Sequence, residues 1–503
     1  MMSLSRERSQ LVAACLLTAV LAGLLSAFDE TIALLLVGLL ASLIVTALLP
    51  FQYVLYVFIL LSLTGIRPLP PVLGYDIQAQ YVLLPALLLG VILRGRSDLA
   101  EGTQLRGAIV AATLLGLAAF VALVHGVLNG GSASSGAFGT YVKWNMGLLY
   151  LAVFLVGVGG KRDRISSIYN TTFIILVGFA AAAVLSSLTS GVSGAGLGTF
   201  RAQLLNLGPN RTGALAAAGA VMALAPIAAG RLEAWKLLSL GAFLSLLVLT
   251  GSREAVVALV AGGIVLLFNV QSARAASWYI YSMTVALVLV GLAVIFGGFL
   301  PAGLAREVSP YPQLIPYLTI SGVHIPAFLA ERLYFADYGI HVFFSQPLFG
   351  LGFDRSLDIP SATTYGAPTL IRTAHNSFIS IAAQQGVVGL AAFVGMVWVV
   401  LRAARRLVAA SEGTSYVSTA VGIRCALVVL VADSFMDDAL YYDYNIMFVF
   451  FLLSGMCLLL TPFATRQKSL QEAPGHTQTP LKAQTPGPFP DQRRLPFGQG
   501  GTT

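Results

Sequence analysis

The chain has 503 residues, 57% of them hydrophobic and 10% charged, with a formal net charge of +8. A soluble domain carries roughly 25% charged residues, so the solvent for most of this chain is lipid. The basic residues sit in short clusters between apolar stretches and make no continuous basic face, which argues for membrane topology and against a nucleic-acid partner.

A spanning helix needs about 20 mostly apolar residues, because every backbone N–H must find its partner within its own segment once water is gone. Apolar windows predict an all-α polytopic protein of about fourteen such helices, within a range of about 12–14. They fall near 10–28, 31–49, 51–65, 78–94, 107–128, 140–159 and 168–189. The rest are near 210–230, 234–250, 253–270, 277–300, 375–401, 416–436 and 444–463. The first follows Arg6 and Arg8 but precedes no small-residue cleavage pattern, so it reads as an uncleaved helix. Cys15, Cys425 and Cys457 all lie inside apolar segments with no metal-ligand spacing, and read as small core residues.

Short loops rich in Lys and Arg stay cytoplasmic. With the N-terminus inside, nineteen of the 29 basic residues face the cytoplasm, nine face outward and Arg424 falls within a span. The expectation is a multi-pass protein of a bacterial inner membrane with both termini cytoplasmic. A transmembrane domain, 1–466, would include a large periplasmic loop over 301–372, and a Pro-, Gln-, Gly- and Thr-rich tail, 467–503, cannot bury enough apolar area to fold. Within the loop, Pro326–Ser345 carries Phe328, Leu329, Leu333, Phe335, Tyr338 and Ile340 near helical spacing, which predicts an amphipathic helix on the outer surface.

Outward basic residues are what topology disfavours, and here they are Arg67, Lys143, Arg201, Arg211, Arg253, Arg306, Arg332, Arg355 and Arg372. Three spans begin at the outer face with polar residues, where free N–H groups and the helix dipole favour an anion. The first reads L-G-P-N-R-T-G, with Asn210 as cap and Arg211 in the first turn. The second reads T-G-S-R-E, with Ser252 as cap before Arg253 and Glu254. The third reads R-T-A-H-N-S-F, with Thr373 as cap and His375 in the first turn. Guanidinium forks bind phosphate oxygens bidentately, so Arg211 and Arg253 are candidates for a diphosphate. Each alone could equally anchor its helix at the headgroup layer. A helix N-terminus keeps imidazole neutral, which suits His375 to general-base work, although a solvated interfacial histidine fits the same position. Arg332 leans toward the site. Arg201 reads as a solvated loop residue, and Arg424 can snorkel. Asp433, Asp437, Asp438 and Asp443 could assist as base or metal site, or form a plain acidic loop. No phosphate loop, Cys pair, His-Glu-x-x-His or nucleophile elbow occurs.

With P-N-R at 209–211, T-G-S-R at 250–253, E-R-L-Y-F-A-D-Y-G-I-H-V-F-F-S-Q-P-L-F-G-L-G at 331–352 and A-H-N-S-F-I-S-I-A-A-Q-Q-G-V-V-G-L at 374–390, the chain resembles the O-antigen ligase and polymerase superfamily. That resemblance implies an inverting glycosyltransferase without metal or cofactor. It would move a glycan from undecaprenyl diphosphate to a hydroxyl of a glycan or of lipid A core, among membrane lipids and polysaccharide-assembly proteins. Arg211 and Arg253 would then bind the diphosphate, Arg332 would support it and His375 would activate the acceptor, with Glu254, Asn376 and Arg372 as accessories. Glu254 departs from the small residue usual in the family, and fourteen spans exceed the dozen expected of a ligase, which favours a polymerase or exopolysaccharide enzyme. A flippase for lipid-linked sugars is the alternative; it would need paired broken helices near the midplane, and no such pair is legible.

Overall fold

The computed structural model describes residues 51–64, 103–128, 135–158, 162–190, 208–231, 233–270, 319–320, 323–324, 327–353, 359–361, 369–371 and 374–472, with isolated positions at 84, 87, 88, 277, 281, 282 and 285. The helices are α1 (Phe51–Thr64), α2 (Thr103–Leu128), α3 (Ser135–Val158), α4 (Arg162–Ser190), α5 (Pro209–Ala228), α6 (Ala234–Thr250) and α7 (Arg253–Leu267). After them come α8 (Ala327–Ser345), α9 (Ser377–Ser411), α10 (Val417–Asp433), α11 (Ala439–Tyr442) and α12 (Tyr444–Glu472). Two small antiparallel ladders flank α8. In one, β1 (Thr319–Ile320) meets β2 (Val323–His324), with Thr319 opposite His324; in the other, β3 (Ile359–Ser361) meets β4 (Thr369–Ile371), with Pro360 opposite Leu370.

Ten of the fourteen expected spans coincide with a described helix. Those near 10–28, 31–49, 78–94 and 277–300 fall wholly or mostly outside the described residues, as does nearly all of the tail. Among the described residues, five segments are long and apolar enough to cross a membrane: Arg106–Leu128, Arg164–Ser186, Pro209–Ala228, Ser377–Ser411 and Asn445–Ser469.

The bundle is built around α5. Its 17 residues from Thr212 to Ala228 are all buried, the signature of a helix apolar on every side and enclosed by others. Helices α6, α7 and α10 surround it. Small residues let these backbones close up, as is usual where packing rather than water drives association. A Cβ on Gly219 would fall 2.4 Å from the Phe243 ring of α6.

Helix α9 is broken at Gly386, where φ is 65° and ψ −166°. The break frees backbone groups inside an apolar bundle, and they must be paired. Pro347–Gly352 supplies the partners. Leu351 N–H donates to Ala383 O at 2.9 Å and Gly352 N–H to Gln384 O at 2.9 Å, while Val387 N–H donates to Pro347 O at 2.8 Å. The loop in turn rests on α2, where Gly352 meets Gly126 so closely that a Cβ on Gly352 would fall 2.4 Å from the Gly126 Cα.

Helix α8 covers the start of α9 through Phe335, which is buried, and Tyr338 and Val342, packed with Ala374, Ala383, Leu351 and Ile379. Its inward face differs from the expected one. Ile340 is exposed, because Gly339 is the point of closest approach, against Ile379 and Ala374.

Candidate functional site

At one end of the bundle the N-termini of α5, α7 and α9 meet the turn from α10 to α12. The three helix starts singled out by sequence therefore gather, and Gly213 of α5 lies against Ser252 at the head of α7. Ser252 is the cap of α7, its Oγ accepting from Ala255 N–H at 3.3 Å. The other two caps differ from expectation. Helix α5 starts after Gly208 with Pro209 at its first position, where a missing N–H is harmless. Asn210 is thereby released from capping, and its Nδ2 donates to Asp437 Oδ2 at 3.2 Å. For α9 the cap is Asn376, whose Oδ1 accepts from Phe378 N–H and Ile379 N–H at 3.0 and 3.1 Å. His375 therefore precedes the cap instead of lying in the first turn. Thr373 and Arg372 lie outside the described residues.

His375 adopts φ 49° and is the one non-glycine residue at positive φ among the described residues. Such backbone costs about 1–3 kcal/mol and persists only where the surroundings fix it. Here they do. Ala374 N–H donates to Ser380 Oγ at 3.1 Å, Asn376 Nδ2 to Phe435 O at 2.8 Å, and Ser377 N–H to Ser434 O at 2.9 Å. The Phe335 ring lies 5.2 Å from the imidazole, and Phe378 stacks on Phe435 at 4.2 Å. These contacts aim the ring at Asp437, with Nδ1 3.4 Å from Oδ1.

Burial works against a charged Asp437, but the hydrogen bond with His375 and the positive charge of Arg332 and His375 outweigh it and hold this carboxyl down at about 2. An ionised carboxylate only accepts. His375 Nδ1 must therefore carry the proton, which in the neutral ring leaves Nε2 as the basic atom. Asp437 Oδ1 also accepts from the N–H of Asp438 at 2.8 Å, and Ser380 Oγ donates to Asp438 Oδ1 at 2.6 Å.

The arginines are arranged around this pair. Arg211 is 44% exposed, and its Nε is ion-paired with Asp443, which is nearly buried. Burial raises the Asp443 carboxyl, against the opposing pull of Arg211 and of the Asn445 and Ile446 N–H groups that it caps. Arg332 Nη2 pairs with Glu254 Oε1 at 2.6 Å, and its Nη1 is buried with no hydrogen-bond partner among the described residues. Glu254 thus orients Arg332. Arg253 is half-buried one position before it.

Arg211, His375, Asp433, Asp437, Asp438, Ala439 and Asp443 enclose a cavity of about 210 Å³. His375, Asp437 and Asp438 carry ligand atoms within 4.8 Å of one another, close enough for one cation. A cation there would compete with the hydrogen bonds that Asp437 and Asp438 already accept. Of the residues that reasoning from sequence ranked low, Asp437 is central; its signal was the acidic run at the last outer turn, whose link to His375 needed the fold.

The apolar helices and this ring of polar groups at their ends define an integral membrane protein with a histidine–carboxylate pair flanked by arginines. Residues 238–394 match the family model described as O-antigen ligase, which supports the O-antigen ligase and polymerase superfamily for this chain. The matched segment runs from α6 into α9 and contains Arg253, Glu254, Arg332, Arg372, His375 and Asn376; Arg211 and the four aspartates lie outside it. The match supports a ligase or polymerase role in surface-polysaccharide biosynthesis. No curated protein matches the chain significantly.

Proposed function

We propose that the protein is an inverting glycosyltransferase that moves a glycan from undecaprenyl diphosphate to an acceptor hydroxyl without metal or cofactor. It would work at the periplasmic face of a bacterial inner membrane, in a bundle of about fourteen spans with both termini cytoplasmic. The observation that carries this reading is His375, held at positive φ and paired with Asp437, with Arg211 beside it in the cavity wall and the charge of Arg332 acting on Asp437.

In this reading His375 Nε2 takes the proton of the accepting hydroxyl, and Asp437 stabilises the imidazolium that forms. The hydroxyl oxygen bonds to the anomeric carbon from the face opposite the diphosphate. The bond from that carbon to the diphosphate oxygen breaks, and the leaving group departs with the electron pair. Arg211, Arg253 and Arg332 offset the charge that develops there, each charge-assisted hydrogen bond contributing about 1.5–3 kcal/mol. The donor is already activated, so positioning, a base and charge stabilisation suffice.

The experiment is transfer in vitro with purified protein and undecaprenyl-diphosphate oligosaccharide, in chelator and without nucleotide, for wild type and His375→Ala. Products from wild type alone are expected: longer lipid-linked chains from a polymerase, glycan on added lipid A core from a ligase. Undiminished transfer by His375→Ala would remove the base. Protein-dependent movement of the lipid across vesicles with no transfer would replace this reading with the flippase.

A further inference from the structure

Acid and base are not mixed evenly at the site. The cavity of about 210 Å³ has four aspartates in its wall, Asp433, Asp437, Asp438 and Asp443, against Arg211 and His375; neither Arg253 nor Arg332 lines it. A diphosphate has no favourable place among four carboxyl groups at such short range. The leaving group belongs on the side of Arg253, Arg332 and the exposed edge of Arg211, and the cavity suits another occupant.

The acceptor atoms in that wall show which. Asp437 accepts from His375, Asn210 and a backbone N–H. Asp443 pairs with Arg211 and caps α12 through Asn445 and Ile446. Asp438 accepts from Ser380. Asp433 is 1% exposed, and its Oδ1 has no hydrogen-bond partner among the described residues. A buried acceptor at a cavity wall calls for a donor from a ligand or water. Sugar hydroxyls are such donors, and one of them must also reach His375 Nε2. The volume, about 210 Å³, is below the roughly 300–1,000 Å³ of a site for a drug-sized ligand, a scale that suits a single sugar ring.

Building on the transferase reading, we propose that this cavity is the subsite for the sugar ring presenting the accepting hydroxyl. Asp433 Oδ1 takes a hydrogen bond from a second hydroxyl of that ring, and the acidic wall admits uncharged hexoses while rejecting uronates. Asp433 is thus an acceptor-binding residue that fixes the ring while His375 works on its reacting hydroxyl.

The test uses full-length protein in nanodiscs, with neutral methyl hexosides (gluco, galacto and manno) and methyl glucuronide as probes, read by saturation-transfer NMR. At least one neutral hexoside should bind about tenfold or more tightly than the glucuronide, and Asp433→Leu, which keeps the bulk but removes the acceptor, should weaken that binding about three- to tenfold, the loss of one hydrogen bond. The contrast between hexoside and glucuronide needs no variant, so it stands even if Asp433→Leu folds poorly. No hexoside signal above empty nanodiscs, equal binding of glucuronide, or unchanged binding by a well-folded Asp433→Leu would each overturn the subsite. Transfer measured in parallel separates the two ideas. Intact transfer without the hexoside contrast overturns the subsite alone, and a wild type that transfers nothing overturns the transferase reading and the subsite with it.

Discussion

Two residues in left-handed backbone bracket the first turns of α9, His375 with φ 49° and Gly386 with φ 65°. At Gly386 the chain needs only the conformation, and the residue without a Cβ supplies it without strain. At position 375 a positive φ is carried by a residue for which it is costly, which points to a side chain that serves something glycine cannot. Architecture and the proposed chemistry lie eleven positions apart on one segment, and both positions fall inside the O-antigen ligase match.

Exchanging the residue types should break this comparison in opposite directions. In Gly386→Ala a Cβ would fall 2.3 Å from Leu348 O, against backbone that is itself pinned. The largest effect is expected here: loss of monodisperse protein on size exclusion, and with it all transfer. His375→Gly should do the reverse. It relieves strain, so thermal stability should hold or rise, while transfer falls by about 10²- to 10⁴-fold, the usual share of a general base. A His375→Gly variant that melts well below wild type would mean that the imidazole is mainly a packing element.

Asp437→Asn sharpens the chemical half. Loss of a charge-assisted hydrogen bond to His375 should lower transfer about 10- to 150-fold. The sign with pH follows from its carboxyl being held at about 2. A depressed carboxyl is charged throughout the working range, and its contribution to stability fades only as pH falls from about 4 toward 2. The wild type should therefore keep the stability that this carboxylate contributes down to about pH 4, and Asp437→Asn should lack that acid-dependent part of the melting curve. Melting temperatures of wild type and variant that fall in parallel between about pH 4 and 2 would show that the pair contributes nothing to the fold.

How much of this was legible in the sequence follows the same division. Spans such as 51–65 and 234–250 match α1 and α6 closely, because lipid imposes length and apolarity on each segment separately. The gathering of Arg211, Ser252 and His375 at one end was also legible, from charge placed where topology disfavours it. The Pro-Leu-x-Gly-x-Gly stretch was visible as a resemblance, but its physical role was not: a loop that fills the hydrogen bonds of a broken helix leaves no periodicity to read. Asp437 and Asp433 were hidden for a different reason. An acidic outer turn is what topology alone predicts, and only the return of α10 beside α9 brings those carboxyls to His375.

Arg332 and Glu254 allow the finest separation of support from chemistry. They are 21% and 14% exposed and 78 residues apart in sequence, so a single truncation leaves a partly buried charge unpaired. Arg332→Met alone and Glu254→Gln alone should each lower the melting temperature, and the double variant should recover part of the loss, with a coupling of about 0.5–3 kcal/mol. Activity should not follow stability. If Arg332 meets the leaving diphosphate through its unpartnered Nη1, the double variant regains its fold but keeps a raised KM for the lipid donor, whereas Glu254→Gln alone, which retains the guanidinium, keeps most of its turnover. Recovery of donor KM together with melting temperature in the double variant would reduce Arg332 to a strut between α7 and α8.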